Sequence, residues 1–261
     1  MSGKILGIKK LGTQWEGLDP FLVIMHHRDR YPAGNESLGP AASLEGRDLG
    51  MDFSNKDGWS MYHGHVVPGF PEHPHRGFET VTSVLEGYVD HSDSAGSTGR
   101  YGGGDVQWMT AGKGGNHTEM FPLLNQDGDN PLNLFQIWMN LPAKSKFADF
   151  HYKMLWDEEI PVVSKVDGNG RSARARLVAG TFDGVESPAP APSSWAADKG
   201  NHVGIWHIDL EPEATITLPR LSPTLNRAIY FHKGESIQVE GTEVPAYHMV
   251  RLTGNDEVRI V

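Results

Sequence analysis

The sequence predicts an all-β protein. Short segments rich in Val, Ile, Thr and aromatic residues alternate apolar with polar side chains along most of the chain, which is the period of a half-buried strand. Turn chemistry separates them, and 31 Gly and 17 Pro in 261 residues are enough for many tight turns. Helical periodicity is weak throughout, so few and short helices are expected. A chain of this length can bury a substantial core, either as one large β-rich domain or as two domains of ordinary size.

Taken in order, "FLVIM" near the N-terminus is a first apolar run. "FETVTSVLEGYVDH" alternates and ends in the turn-rich "SDSAGSTGRYGGGD", after which "VQWMTAG" starts a second strand. Gly87 closes the first of these strands and residues 88–103 read as a hairpin. "NLFQIWMNL", Asn133 to Leu141, is a strongly apolar strand candidate, and the acidic "MLWDEEIP" suits a turn or short helix. "HVGIWHIDL", "ATITLP", "RAIYFHKG", "ESIQVEG", "AYHMVRL" and "EVRIV" carry the pattern to the C-terminus. A faint internal echo, strand, Gly, strand, turn, strand, suggests two similar halves: residues 1–142 and 143–261. Residues 143–165 fall in the expected connector, and the Pro/Ala/Ser-rich stretch 184–201 reads as an exposed, flexible loop.

Composition excludes several function classes. The net charge of −10 with His neutral argues against a direct grip on nucleic acid or an anionic membrane. No cysteine is present, so disulfides, zinc–thiolate sites and iron–sulfur clusters are excluded, and any metal must be held by His and carboxylate. The N-terminal stretch lacks the apolar core of a signal peptide, and "FLVIM" is far too short to span a bilayer. A soluble, cytoplasmic protein is the expectation.

Two His-x-His pairs stand close together in "MYHGHVVPGFPEHPHRGFET": His63/His65 and His73/His75. On a strand, residues i and i+2 share a face and can grip one ion. Glu79 has the same parity as His73 and His75. Downstream, "GGNHTEM" places His117 and Glu119 at i and i+2 again. If both segments are strands of one barrel, four ligands of N₃O type could converge, a set that suits Fe, Mn, Ni, Cu, Co or Zn. His63/His65 has no such downstream counterpart, and "VVPGF" breaks the strand after it, so structural histidines are expected there. His26 and His27 are adjacent and would face opposite ways. His91, His151, His202 and His207 show no constellation. Trp108, Phe135 and Trp138 could line a pocket or simply pack the barrel. "GGGD" and "GKGG" lack the spacing of phosphate-binding loops and read as turns.

"HPHRGFETVTSVLEG" resembles the first cupin motif and "GDVQWMTAGKGGNHTEM" the second; both are more specifically similar to the pirin family's versions, as are "LDPFL" and "LFQIWMNLPAK". The resemblance is strong over residues 10–165 and weak beyond. It implies two cupin, jelly-roll-like β-barrels in tandem, the N-terminal one holding a single divalent metal, usually Fe(II). The pirin ligand pattern falls on His73, His75, His117 and Glu119, with Glu119 taking the place of the usual cupin ligand at Glu79. The second half has His232 and His248 but no His-x-His, and is expected to be a barrel without metal. The resemblance also implies a metal-dependent dioxygenase of the quercetin 2,3-dioxygenase type, acting on O₂ and a flavonol-like aromatic, with Glu119 as general base. Its rival is a metal- or redox-dependent regulator that binds a transcription factor or metabolic enzyme. A weaker third is another cupin reaction such as isomerisation.

Overall fold

A computed structural model describes residues 3–261. The protein is all-β: every described helix is a single three-residue 3₁₀ turn, and among the described residues no helix is long and apolar enough to cross a membrane. The chain forms two compact units. One comprises Ile24–Asp157 with Ala191–Ser194; the other comprises residues up to Val23, Glu158–Pro190 and Trp195–Val261.

The first unit is built from two antiparallel sheets. In one, the strand order is His151–Leu155, Val106–Thr110, Phe78–Glu86, Asn130–Asn140, then residues 24–31 of the strand Phe21–Tyr31. In the other, the order is Gly69–His75, Gly115–Met120, Tyr88–Asp93, Thr98–Gly102. Residues from both sheets share one core, including Val84 and Leu134 from the first and Val89 and Tyr101 from the second, with Tyr31, Met61 and Leu123 beside them. Burial of these apolar and aromatic side chains between the sheets is the driving force for the two-layer arrangement.

The long run "FETVTSVLEGYVDH" does not remain one strand. It breaks at Gly87, whose φ of +84° and close approach to the Pro131 carbonyl leave no room for a Cβ (2.7 Å). The break transfers the chain from the first sheet to the second, so Tyr88–Asp93 can pair with Gly115–Met120.

In the second unit, Ile5–Lys10 pairs with His248–Leu252, which pairs in turn with Arg227–Phe231. A further sheet joins Val162–Val166, Ser172–Ala179 and Ile205–Leu210. Another runs Ile216–Leu218, Val258–Ile260, Ser236–Val239, Thr242–Pro245. Ile5, Ala173, Ala175, Leu177, Val239, Val250 and Val258 are buried together in its core. The Pro/Ala/Ser-rich segment is less exposed than its composition suggests. Ala191 is fully buried, and Ser194 is nearly so.

Candidate metal centre

The strands Gly69–His75 and Gly115–Met120 are antiparallel neighbours, with His73 directly opposite His117. On the other side, Tyr88–Asp93 places His91 opposite Glu119 and Asp93 opposite His117. Opposed residues of an antiparallel pair project to the same side, as do residues two apart. One face of this sheet therefore carries His73, His75, His117, Glu119, His91 and Asp93.

Three imidazoles converge. His73 Nε2 lies 3.1 Å from His75 Nε2 and 3.0 Å from His117 Nε2. His73 Nδ1 donates to the Pro71 carbonyl at 2.8 Å, which leaves its Nε2 as a lone pair aimed at its neighbours. Burial, reinforced by the neighbouring imidazoles, pushes both His75 and His117 down to about 3, so both rings are neutral near pH 7. Imidazole nitrogens converging in this way have too few protons to satisfy every contact, whereas a cation would satisfy them all. Their spacing also fits one. Two nitrogens each ~2.1 Å from an ion and at right angles lie roughly 3.0 Å apart. Among the described residues, His73, His75 and His117 form the group able to hold a metal ion.

Glu119 borders this group. Its Oε2 is 3.6 Å from His117 Nε2 and accepts a 2.6 Å hydrogen bond from Gln136 Nε2, while Oε1 accepts from Thr82 Oγ1 at 3.2 Å. Trp138 Nε1 donates to Gln136 Oε1 at 2.9 Å, which fixes the amide so that its NH₂ faces the carboxylate. The indole of Trp138 also packs edge-on against His75 and, tilted, against Phe78. Gln136 and Thr82 are opposed across their two strands, and the lone Gln inside the apolar run "NLFQIWMNL" was the available signal for this support.

Glu79 does not join the histidines. Gly77, at φ +75°, turns the chain between His75 and Phe78, so the parity that links His73 with His75 does not extend to Glu79. Its buried carboxylate accepts from Trp108 Nε1 (3.1 Å), Thr110 Oγ1 (2.7 Å) and Ser194 Oγ (2.7 Å). Trp108 is fully buried in this role. His63 is also elsewhere: its Nδ1 contacts the Gly50 carbonyl at 2.6 Å, and its ring packs on Phe53 and Phe70. His26 and His27 do face opposite ways. His26 stacks on Phe135 and contacts Asn133, whereas His27 packs among Tyr62, Phe70 and Phe121. Burial pushes His27 down to about 4, with the Glu119 charge opposing that shift.

Known proteins resemble this chain in both sequence and fold. The pirin family model matches residues 14–139. A pirin-like protein of Caulobacter vibrioides is 32% identical over 222 residues, covering 85% of this chain and 73% of its own. A Pseudomonas aeruginosa relative, provisionally named a quercetin 2,3-dioxygenase, is 34% identical over 206 residues, covering 74% of this chain. The chain spans 65% of that relative's length, just under two thirds. The crystal structure of a quercetin 2,3-dioxygenase from Acinetobacter baumannii superposes with a TM-score of 0.64 at 23% identity, covering 98% of this chain and 82% of that one. That likeness is one of fold, the cupin-type fold of pirins.

Proposed function

Because the chain belongs to the pirin family, we propose that it holds one divalent metal, Fe(II) in the first instance, and opens flavonols such as quercetin with O₂. The observation that carries this reading is the convergence of three imidazole nitrogens beside a carboxylate held in place by two donors.

His73, His75 and His117 would supply three nitrogens to the ion, and Glu119 a carboxylate oxygen. Bound there, a redox-active ion supplies Lewis-acid polarisation of a substrate oxygen and electron exchange with O₂. The chain's own contribution is orientation and proton transfer. Glu119 Oε takes the proton of the flavonol 3-hydroxyl, and the Gln136 and Thr82 donors hold the carboxylate in place as it does so. Trp138 and Phe78 shield the His75 side of the site with aromatic surface, limiting water access. The flavonol's central ring then opens with uptake of both atoms of O₂ and release of CO.

The test is loss of quercetin absorbance with protein purified anaerobically, analysed for metal and loaded with Fe(II), compared with His75→Ala. The expected result is turnover in the wild type and loss of both metal and turnover in the variant. Equal rates in the two proteins, or none in either, would reject the proposal.

A further inference from the structure

His91 and Asp93 have no part in the reading above, yet they lie on the face that carries the three histidines. His91 Nε2 and Asp93 Oδ2 are 2.9 Å apart, and both side chains are wholly shielded from solvent. Asp93 is itself immobilised, since its Oδ1 accepts from the backbone N–H groups of Ala95 and Ser97 in the following turn. The carboxylate therefore accepts a hydrogen bond from His91 Nε2–H, and in that tautomer Nδ1 is left as an acceptor. The ring is further fixed by stacking on Tyr152, at 4.7 Å and 28°.

His117 presents the complementary problem. With Nε2 directed at His73, its proton resides on Nδ1, which is buried and has no hydrogen-bond partner. His91 Nδ1 is likewise buried and without a partner. The two rings are 5.4 Å apart, on adjacent paired strands. One ring has a proton to give and the other a lone pair to accept it. A ligating imidazole gains basicity and a fixed orientation when its second nitrogen donates to an anchored acceptor.

We propose that His91, anchored by Asp93, is the positioning residue for His117. It accepts the His117 Nδ1 proton through one buried water, giving a relay Asp93–His91–His117 that ends at the metal. A single water hydrogen-bonded to both nitrogens is the simplest bridge across this separation. The inference rests on the metal-centre reading but concerns residues outside its ligand set.

The experiment loads the protein with Co(II) and compares wild type, His91→Phe and Asp93→Asn. His91→Phe keeps a ring against Tyr152 and removes both nitrogens; Asp93→Asn keeps the shape and removes the anchoring charge. Co(II) affinity is measured by competition with a chelator, and the exchangeable ring N–H of the ligand histidines is followed by its hyperfine-shifted proton resonance. Both folded variants are expected to bind Co(II) about 10–100-fold more weakly, and one slowly exchanging N–H resonance should be lost or exchange rapidly. A purely structural role would change thermal stability without moving that resonance. If wild type takes up Co(II) and the variants bind within about twofold of it with the resonance intact, the relay is overturned while the metal centre stands. If wild type takes up no Co(II), both fall. Should His91→Phe fail to fold, Asp93→Asn decides alone.

Discussion

The buried Glu79 carboxylate provides a sharp test, because structure and motif assign it different work. As the residue matching the usual cupin ligand, it would be a metal-site residue; as found, it organises three donors away from the histidines. Leaving a buried donor without its acceptor costs about 1–3 kcal/mol, more where the lost partner is charged. In Glu79→Ala the Trp108 indole N–H cannot turn elsewhere, which sets its loss at about 2 kcal/mol. The Thr110 and Ser194 hydroxyls can rotate toward other acceptors, so each loses about 1 kcal/mol. The variant should therefore be destabilised by about 4 kcal/mol, lowering the thermal midpoint by roughly 8–16 °C. In Glu79→Gln the amide oxygen still receives Trp108 and Thr110, and Ser194 Oγ can accept from the new NH₂. That change should cost about 1 kcal/mol. Both variants, once folded, should take up metal as wild type does. The assay is thermal unfolding followed by indole fluorescence, with elemental analysis of the same samples. A Glu79→Gln protein that keeps its midpoint but loses its metal would refute the reasoning, as would Glu79→Ala with an unchanged midpoint.

Two other predictions concern acid and backbone. Burial holds His27 at about 4 and His75 and His117 at about 3, below the ordinary 6.5. At these three rings the unfolded chain thus binds more protons in that interval, so their contribution to metal-free stability is complete above about pH 6.5 and is lost as pH falls toward 4 and 3. It outweighs the single opposite contribution of Asp29, which burial raises to about 6. Urea midpoints of metal-free protein that stay flat or rise between about pH 7 and 5 would contradict this sign. Gly69 has φ +128°, and a Cβ there would meet the Glu119 carbonyl oxygen at 2.5 Å, so Gly69→Ala should push the Glu119 strand outward and weaken metal uptake. Gly103→Ala, also at positive φ but with open space around it, should cost only about 1 kcal/mol and leave uptake unchanged. Equal metal loss in the two alanine variants would show that the Gly69 contact is irrelevant.

How far such features can be read from sequence depends on how local their cause is. The all-β class was legible because alternation and turn residues are local. That His73 shares a face with His75, and His117 with Glu119, was legible because each pair lies within one unbroken stretch of strand, where a spacing of two guarantees a shared face. The pairing of Ile5–Lys10 with His248–Leu252 joins opposite ends of the chain and leaves no local mark. The same holds for Ser194, whose Pro/Ala/Ser-rich surroundings carry the composition of an exposed loop although its hydroxyl reaches the buried Glu79.

Glu79 and His91 show where spacing fails in opposite directions. Glu79 had the parity of the histidines, but parity counts faces only along continuous strand, and Gly77 at φ +75° starts a new strand in a different sheet. His91 and Asp93 have the same i, i+2 spacing as the His pairs, and they do share the site's face, but only because Gly87 had moved the chain across sheets. Two glycines of left-handed φ thus decide which acidic and imidazole groups meet. One takes a carboxylate away from the histidines, and the other brings a His–Asp pair to them. A side chain's face follows from its own strand, while its neighbours follow from the turns on either side, and in this protein the turns govern the chemistry.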